Sequence, residues 1–172
     1  HKEPSRSDLT EVIKAGETDR LKSEKLTDFE LGYRYISSSF SAGINIYYMD
    51  YKDQLVPTGK LSENGYVIKE NVGDSYRGGV EADLNWSIFP RVIFVGNISL
   101  SRNKIINYLA WTDLYDNPDD WNYISQISRN IKRTNLSFSP EVVGYMAIEY
   151  RPVDIYEFAI NSKYVGKQYY DN

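Results

Sequence analysis

The chain runs to 172 residues, enough for one ordinary domain, and its formal net charge of -4, with no basic patch, argues against nucleic acid as a partner. It has no cysteine and a single histidine, His1, which excludes disulfide scaffolds, thiolate metal sites, cysteine nucleophiles and serine-histidine triads. No run approaches the roughly 20 apolar residues of a membrane-spanning helix, so strands would have to cross any membrane. The unusual feature is aromatic: 16 tyrosines stand against 6 phenylalanines and 2 methionines. Tyrosine has an apolar ring and a polar tip, which suits positions between grease and water.

In chain order, residues 1–26 are polar, lack strand periodicity and read as a loop entering the first strand. Residues 27–56 read as a hairpin, because side chains alternate between the two faces of a strand. Phe29, Leu31, Tyr33 and Tyr35 alternate with Asp28, Glu30 and Arg34. After three serines, Phe40, Ala42, Ile44, Ile46 and Tyr48 alternate with Ser41, Gly43, Asn45 and Tyr47. Residues 57–74 read as a loop. Residues 75–105 read as a second hairpin turning at Phe89-Pro90-Arg91, with Val80, Leu84, Phe94 and Ile98 on the apolar face, and Glu81, Asp83 and Asn97 on the polar one. Residues 106–140 read as a second loop. Residues 141–168 read as a third hairpin, with Met146, Ile148, Phe158 and Ile160 on its apolar face.

The fold class is therefore all-β, an antiparallel up-and-down meander of about six long strands. One face wants hydrocarbon and the other water, a signature that fits a soluble core as well as a bilayer. Connection lengths discriminate further: tight links near Ser38, Pro90 and Val153 alternate with the two long ones, as in outer-membrane barrels. Aromatic residues gather at both ends of the strands: Tyr35, Phe40, Trp86, Phe89, Tyr150 and Tyr156 at the tight turns, and Tyr48, Tyr51, Tyr76 and Tyr164 toward the long loops. Six strands cannot close a membrane barrel, and open edges are prohibitive in lipid, so the chain reads as part of something larger.

On the polar face, Glu30, Arg34, Arg77, Glu81, Asp83, Glu149, Glu157 and Lys163 suit a wet or plugged lumen. They would serve equally as the solvent side of a soluble sheet. In the second loop, Trp111, Tyr115, Trp121 and Tyr123, followed by Arg129, Lys132 and Arg133, could stack on a sugar or clasp an anionic chelate. The same aromatics could instead pack the loop into its own lid. The run Asp116 to Asp120 lacks the glycine and glutamate of a calcium loop and suits a turn, so neither a metal nor a cofactor is expected. A soluble β-barrel or β-sandwich module that binds a ligand or carbohydrate is the alternative. A β-rich hydrolase would need an acid-base pair, and no spacing singles one out.

Several segments together resemble a known family. EPSRSD is similar to its Pro-x-Arg-x-Asp stretch, and SEKLTDFELGYRY to its Pro-Glu-x-Leu-x-Asp-x-Glu-Leu-Gly stretch, with Ser23 where proline is usual. INIYYMDYKDQLVPTGKL, NVGDSYRGGVEADLNW, LSRNKI, FSPEVV and SKYVGKQYYDN follow in the family's order. The chain thus resembles the C-terminal barrel portion of TonB-dependent outer-membrane receptors, particularly of Bacteroidetes type. The resemblance implies a segment of a 22-stranded transmembrane barrel, with 57–74 and 106–140 as extracellular loops. It also implies uptake of a scarce nutrient, such as an iron-siderophore, vitamin or oligosaccharide, across the outer membrane of a Gram-negative bacterium. The implied partners are outer-membrane lipid, a small-molecule or glycan substrate, the receptor's own N-terminal plug domain, and the TonB complex acting through that plug. Neither the plug nor its TonB-contacting box is recognised in these residues.

Overall fold

The structure is a computed structural model that describes residues 2–14, 21–61, 67–116, 122–170 and 172. One short helix, α1 (Arg6–Lys14), precedes seven strands: β1 (Lys25–Ile36), β2 (Phe40–Leu61), β3 (Val67–Phe89), β4 (Val92–Tyr115), β5 (Tyr123–Asn135), β6 (Val142–Val153) and β7 (Tyr156–Val165). All seven strands form one antiparallel sheet in the order β1-β2-β3-β4-β6-β7, with β5 also paired to β4. The first part of β4 pairs with β6, from Val92↔Tyr150 to Leu100↔Val142. The remainder pairs with β5, from Lys104↔Asn135 to Tyr115↔Tyr123. β5 and β6 therefore occupy one strand position in two pieces, and the seventh element arises by interruption of the expected six-strand meander.

The interruption is an insertion. Residues 136–141 stand against only Ser101, Arg102 and Asn103 of β4. The bulged segment stays anchored through Leu136 N–H to the Asn103 carbonyl (3.1 Å) and Ser101 N–H to the Glu141 carbonyl (2.8 Å). Phe138 adopts a φ of 52°, which helps the chain leave and rejoin the ladder.

Strands β2, β3 and β4 have 22, 23 and 24 residues. At about 3.3 Å per residue each spans roughly 75 Å, more than twice the 9–11 residues that a transmembrane strand uses. β1, β6 and β7 have 12, 12 and 10 residues, about one such crossing. The sheet thus has a lower part, next to the tight turns, and an upper blade built from the far ends of β2, β3 and β4 together with β5.

In the lower part the expected alternation is physical. Leu31, Ile46, Val80, Leu100 and Val142 lie on one continuous row across five strands. This apolar face has no cover: Leu31 is 75% exposed and Ile160 81%. Aromatic pairs line its ends, with Phe40 against Tyr35 and Trp86 near the turns, and Tyr48 stacked on Tyr76 at 5.8 Å further up.

The upper blade obeys a different rule. Asp53 and Asn107 both have φ of 54°, and the strand registers place Gly73 between them, so the three residues form a line across β2, β3 and β4. Asp and Asn are among the few side chains that tolerate this left-handed conformation. The line acts as a crease at which side chains exchange faces. Ile105 and Tyr108, three apart in β4, pack in one cluster with Val56, Val72 and Leu136, although strict alternation would put them on opposite faces. This cluster holds most of the buried apolar side chains among the described residues.

Three expectations are corrected here. Stretches 57–74 and 106–140, read as loops, are largely strand, because the exchange of faces and the insertion break the period-two pattern that would have revealed them. The entering segment 1–26 contains α1, whose start is fixed by a reciprocal cap. The Asp8 amide donates to Ser5 Oγ (3.2 Å), and the Ser5 amide and hydroxyl donate to the Asp8 carboxylate (3.0 and 2.6 Å). The same segment is bridged to the strand entry by Lys2↔Glu24.

Candidate functional site

The polar face of the lower sheet is built in rows. Arg34, Gly43, Asp83, Asn97, Tyr145 and Lys163 follow one another across β1, β2, β3, β4, β6 and β7. Arg34 reaches over Gly43 and donates from both terminal nitrogens to the Asp83 carboxylate, at 3.0 and 2.8 Å. A Cβ on residue 43 would collide with the Asp83 oxygen and stand 3.0 Å from Arg34 Nη2, so glycine is what lets the pair close across a whole strand. Tyr47 lies over Gly79 in the same way: a Cβ there would fall 2.8 Å from its hydroxyl. Glycine under a long side chain is thus a repeated device of this wall.

Below the insertion lies a groove of about 420 Å³, lined among others by Glu30, Asn45, Tyr47, Arg77, Glu81 and Phe138. Arg77 sits in its wall with the guanidinium carbon 6.0 Å from the centre of the Tyr51 ring, at the outer limit of a cation-π contact. Its Nε is buried without a hydrogen-bond acceptor among the described residues. Toward the tight turns, Arg151 Nε donates to Glu157 (2.8 Å) and Nη2 lies 3.7 Å from Glu149.

The eight polar-face residues singled out in the sequence therefore fall into sets. Arg34 and Asp83 are joined; Glu30, Arg77 and Glu81 share the groove; Glu149 and Glu157 share Arg151. Lys163 stands three strands from Asp83 on its row, opposite Tyr145. Sequence reading missed Arg151, whose partners lie on both sides of a tight turn, and Phe138, whose position depends on the insertion. The alternation of Leu136-Ser137-Phe138-Ser139-Pro140 runs on unbroken, so nothing in the sequence marks the insertion.

The six candidate ligand residues do not converge in the same way. Tyr115 and Tyr123 face each other across the end of the β4–β5 pair, ring centres 6.3 Å apart and edge to face. Arg129 is opposite Ala110 and Arg133 opposite Ile106, two repeats of the pleat apart along β5, and both are exposed. Trp121 and the side chain of Trp111 lie outside the described residues, as do residues 117–120. Asp116, which opens that run, accepts from the Asn122 amide (3.1 Å) and from its side chain (2.9 Å), as a turn residue does.

The family model described as "TonB dependent receptor-like, beta-barrel" matches residues 4–172. The chain belongs to this family. Members of the TonB-dependent receptor family are transport receptors of the Gram-negative outer membrane. Solved structures agree in fold. The ferric yersiniabactin uptake receptor FyuA from Yersinia pestis superposes with a TM-score of 0.59 at 19% identity, over 86% of this chain and 19% of that one. A mutant of the ferric enterobactin receptor PfeA from Pseudomonas aeruginosa gives 0.53 at 17% identity, over 86% and 19%. The ferric-catecholate import receptor Fiu from E. coli gives 0.54 at 15% identity, over 89% and 19%. The chain spans about a fifth of the length of each receptor. No curated protein matches it.

Proposed function

We propose that this chain is part of the wall of an active-transport receptor, of Bacteroidetes type, in a Gram-negative outer membrane. The receptor takes up a scarce nutrient such as an iron-siderophore, a vitamin or an oligosaccharide, is energised by TonB through a plug domain, and carries out no chemistry on its cargo. The observation that carries this reading is the uncovered apolar face of the lower sheet. Its exposed rows, typified by Leu31 and Ile160, match a hydrocarbon layer and would be untenable in water. On this reading the opposite face, with Glu30, Arg34, Arg77, Glu81, Asp83, Glu149, Glu157 and Lys163, lines the lumen and meets the plug or the passing substrate. The upper blade is extracellular, and Trp111, Tyr115, Trp121, Tyr123, Arg129 and Arg133 are the residues assigned to contact the ligand.

Uptake assays test the reading. Cells with and without the receptor are offered labelled ferric chelates, cobalamin and oligosaccharides, the chelates first because the three structural neighbours above are titled as receptors for ferric cargo. The expected result is loss of uptake of one class on deletion of the receptor, and the same loss when TonB is removed. Recovery of the receptor in the soluble fraction, without detergent, would overturn the assignment.

A further inference from the structure

The crease that separates the lower sheet from the upper blade is tied from both sides, by the segment that precedes β1 and by the segment that follows β7. On the side of the entering segment, Asn71 is the hub. It accepts from the Lys22 amide (2.6 Å), donates to the Lys22 carbonyl (3.0 Å), and donates to the carbonyl of Asp53 (2.6 Å). Lys22 Nζ also lies 3.8 Å from the Asp53 carboxylate. Nearby, α1 is tied to β3 by Asp8 and Lys69, 3.1 Å apart. On the other side, Asn172 in the closing tail donates to the Pro57 carbonyl of β2 (2.9 Å), while its own side-chain oxygen accepts from the Ser137 amide of the insertion (2.8 Å). The Phe138 amide donates to the Tyr169 carbonyl (2.9 Å), and the rings of Phe138 and Tyr170 meet edge to face at 5.5 Å. Between these ties sits the buried cluster of Val56, Val72, Ile105, Tyr108 and Leu136, which straddles the crease in β4.

A flexible hinge is built differently, with few buried apolar contacts. Here the left-handed residues, the densest apolar packing and the ties from the two flanking segments coincide. We propose that Asp53, Gly73 and Asn107 form a preset, locked elbow, so that the upper blade is a rigid wall held at a fixed inclination to the lower sheet rather than a lid that closes over it. Side chains at the blade's tip are then positioned by the elbow before any ligand arrives. The inference takes from the proposed function only the extracellular placement of the blade; the elbow itself is a property of the fold.

Pulsed electron spin resonance distance measurement on the intact receptor tests it. Labels are placed through Ile98→Cys, below the crease in β4, and Thr112→Cys, above it. Fourteen residues at about 3.3 Å each put them roughly 45 Å apart, within range. A single narrow distance distribution is expected, and two populations or a broad one would overturn the proposal. Asn107→Gly retains access to the left-handed region and should leave the mean distance unchanged, whereas Asn107→Val opposes it and should shift the mean. An unshifted mean in Asn107→Val would also overturn the proposal. Should that variant fail to accumulate, Asn172→Ala decides: a broadened distribution around the native mean is expected, and an unchanged width would refute the lock. Failure of these tests leaves the transport reading untouched, since uptake and membrane residence are measured separately.

Discussion

The lower sheet and the upper blade are made of the same strands, yet they solve opposite problems. Below the crease the strands keep two distinct faces, one of them almost wholly apolar, and few side chains are buried; the apolar residues wait for a solvent of their own. At and above it the strands exchange faces, five apolar side chains close into a cluster that straddles the line, and the segments flanking the strands tie the joint. The contrast teaches that the period-two rule reads the environment of a strand rather than the strand itself. Where the two environments are slabs, it holds; where the protein builds its own interior across a line of left-handed residues, it fails.

The comparison breaks most visibly when a similar deletion is made in the cluster at the crease and on the open apolar face. Ile105 is fully buried in the upper cluster, so Ile105→Ala should cost about 2–5 kcal/mol and lower the denaturant midpoint of the intact receptor accordingly. Leu31→Ala removes as much hydrocarbon from a face that lipid refills without a cavity, so it should cost only the transfer term, about 1.5–2 kcal/mol. Next comes a pair of neighbours. Ile98→Arg places a charge on the apolar face midway along the lower sheet and should cost about 2–4 kcal/mol for refolding into lipid vesicles, while Ser99→Arg, on the polar face, should be nearly neutral. Equal costs for these two would erase the distinction between the faces.

A smaller effect is expected at the Arg34–Asp83 pair. Both side chains are about half exposed, so the ion pair itself contributes at most about 1 kcal/mol. Gly43→Ala should nonetheless cost about 1–3 kcal/mol, because the new methyl group collides with the Asp83 carboxylate and forces the pair apart. The smallest effect sharpens the account of the blade's ties. Burial works against ionisation of Asp8, but hydrogen bonds from Ser5 and Lys69 and the Lys69 charge outweigh it and hold the carboxyl pKa below its ordinary value. A depressed carboxylate contributes its full stabilisation above the unfolded pKa and loses it as the pH falls through the folded one. The protection factors of the α1 amides, corrected for the intrinsic pH dependence of exchange, should therefore hold from neutral pH down to about pH 4, the ordinary carboxylate range, and fall below it. Asp8→Asn should abolish that pH dependence.

How much of this was legible in the residues follows the same boundary. The lower strands announce themselves through Leu31, Ile46, Val80 and Ile98, and the membership of a two-faced antiparallel sheet needed nothing more. The upper strands were read as loops because Tyr108-Leu109-Ala110-Trp111 is apolar at every position, and because Asp53 and Asn107 invert the faces without changing the composition. Asp, Gly and Asn are ordinary turn residues in a sequence; only the register reveals that these three share one line. The charged residues of the wall were visible one by one, but the spacing of Arg34 and Asp83, 49 residues apart, carries no hint that Gly43 lies between them. Phe138 was hidden for a similar reason, since an insertion has no period.

Cysteine scanning of β4 in the intact receptor, reconstituted in lipid, tests the central claim most directly, and the absence of native cysteine from these 172 residues leaves the segment free of background labelling. Probes at Phe94, Gly96, Ile98 and Leu100 should respond to a lipid-soluble quencher and resist a water-soluble reagent. Probes at Val95, Asn97 and Ser99 should show the reverse. Equal access of the aqueous reagent to both sets would contradict a wall with lipid on one face and water on the other.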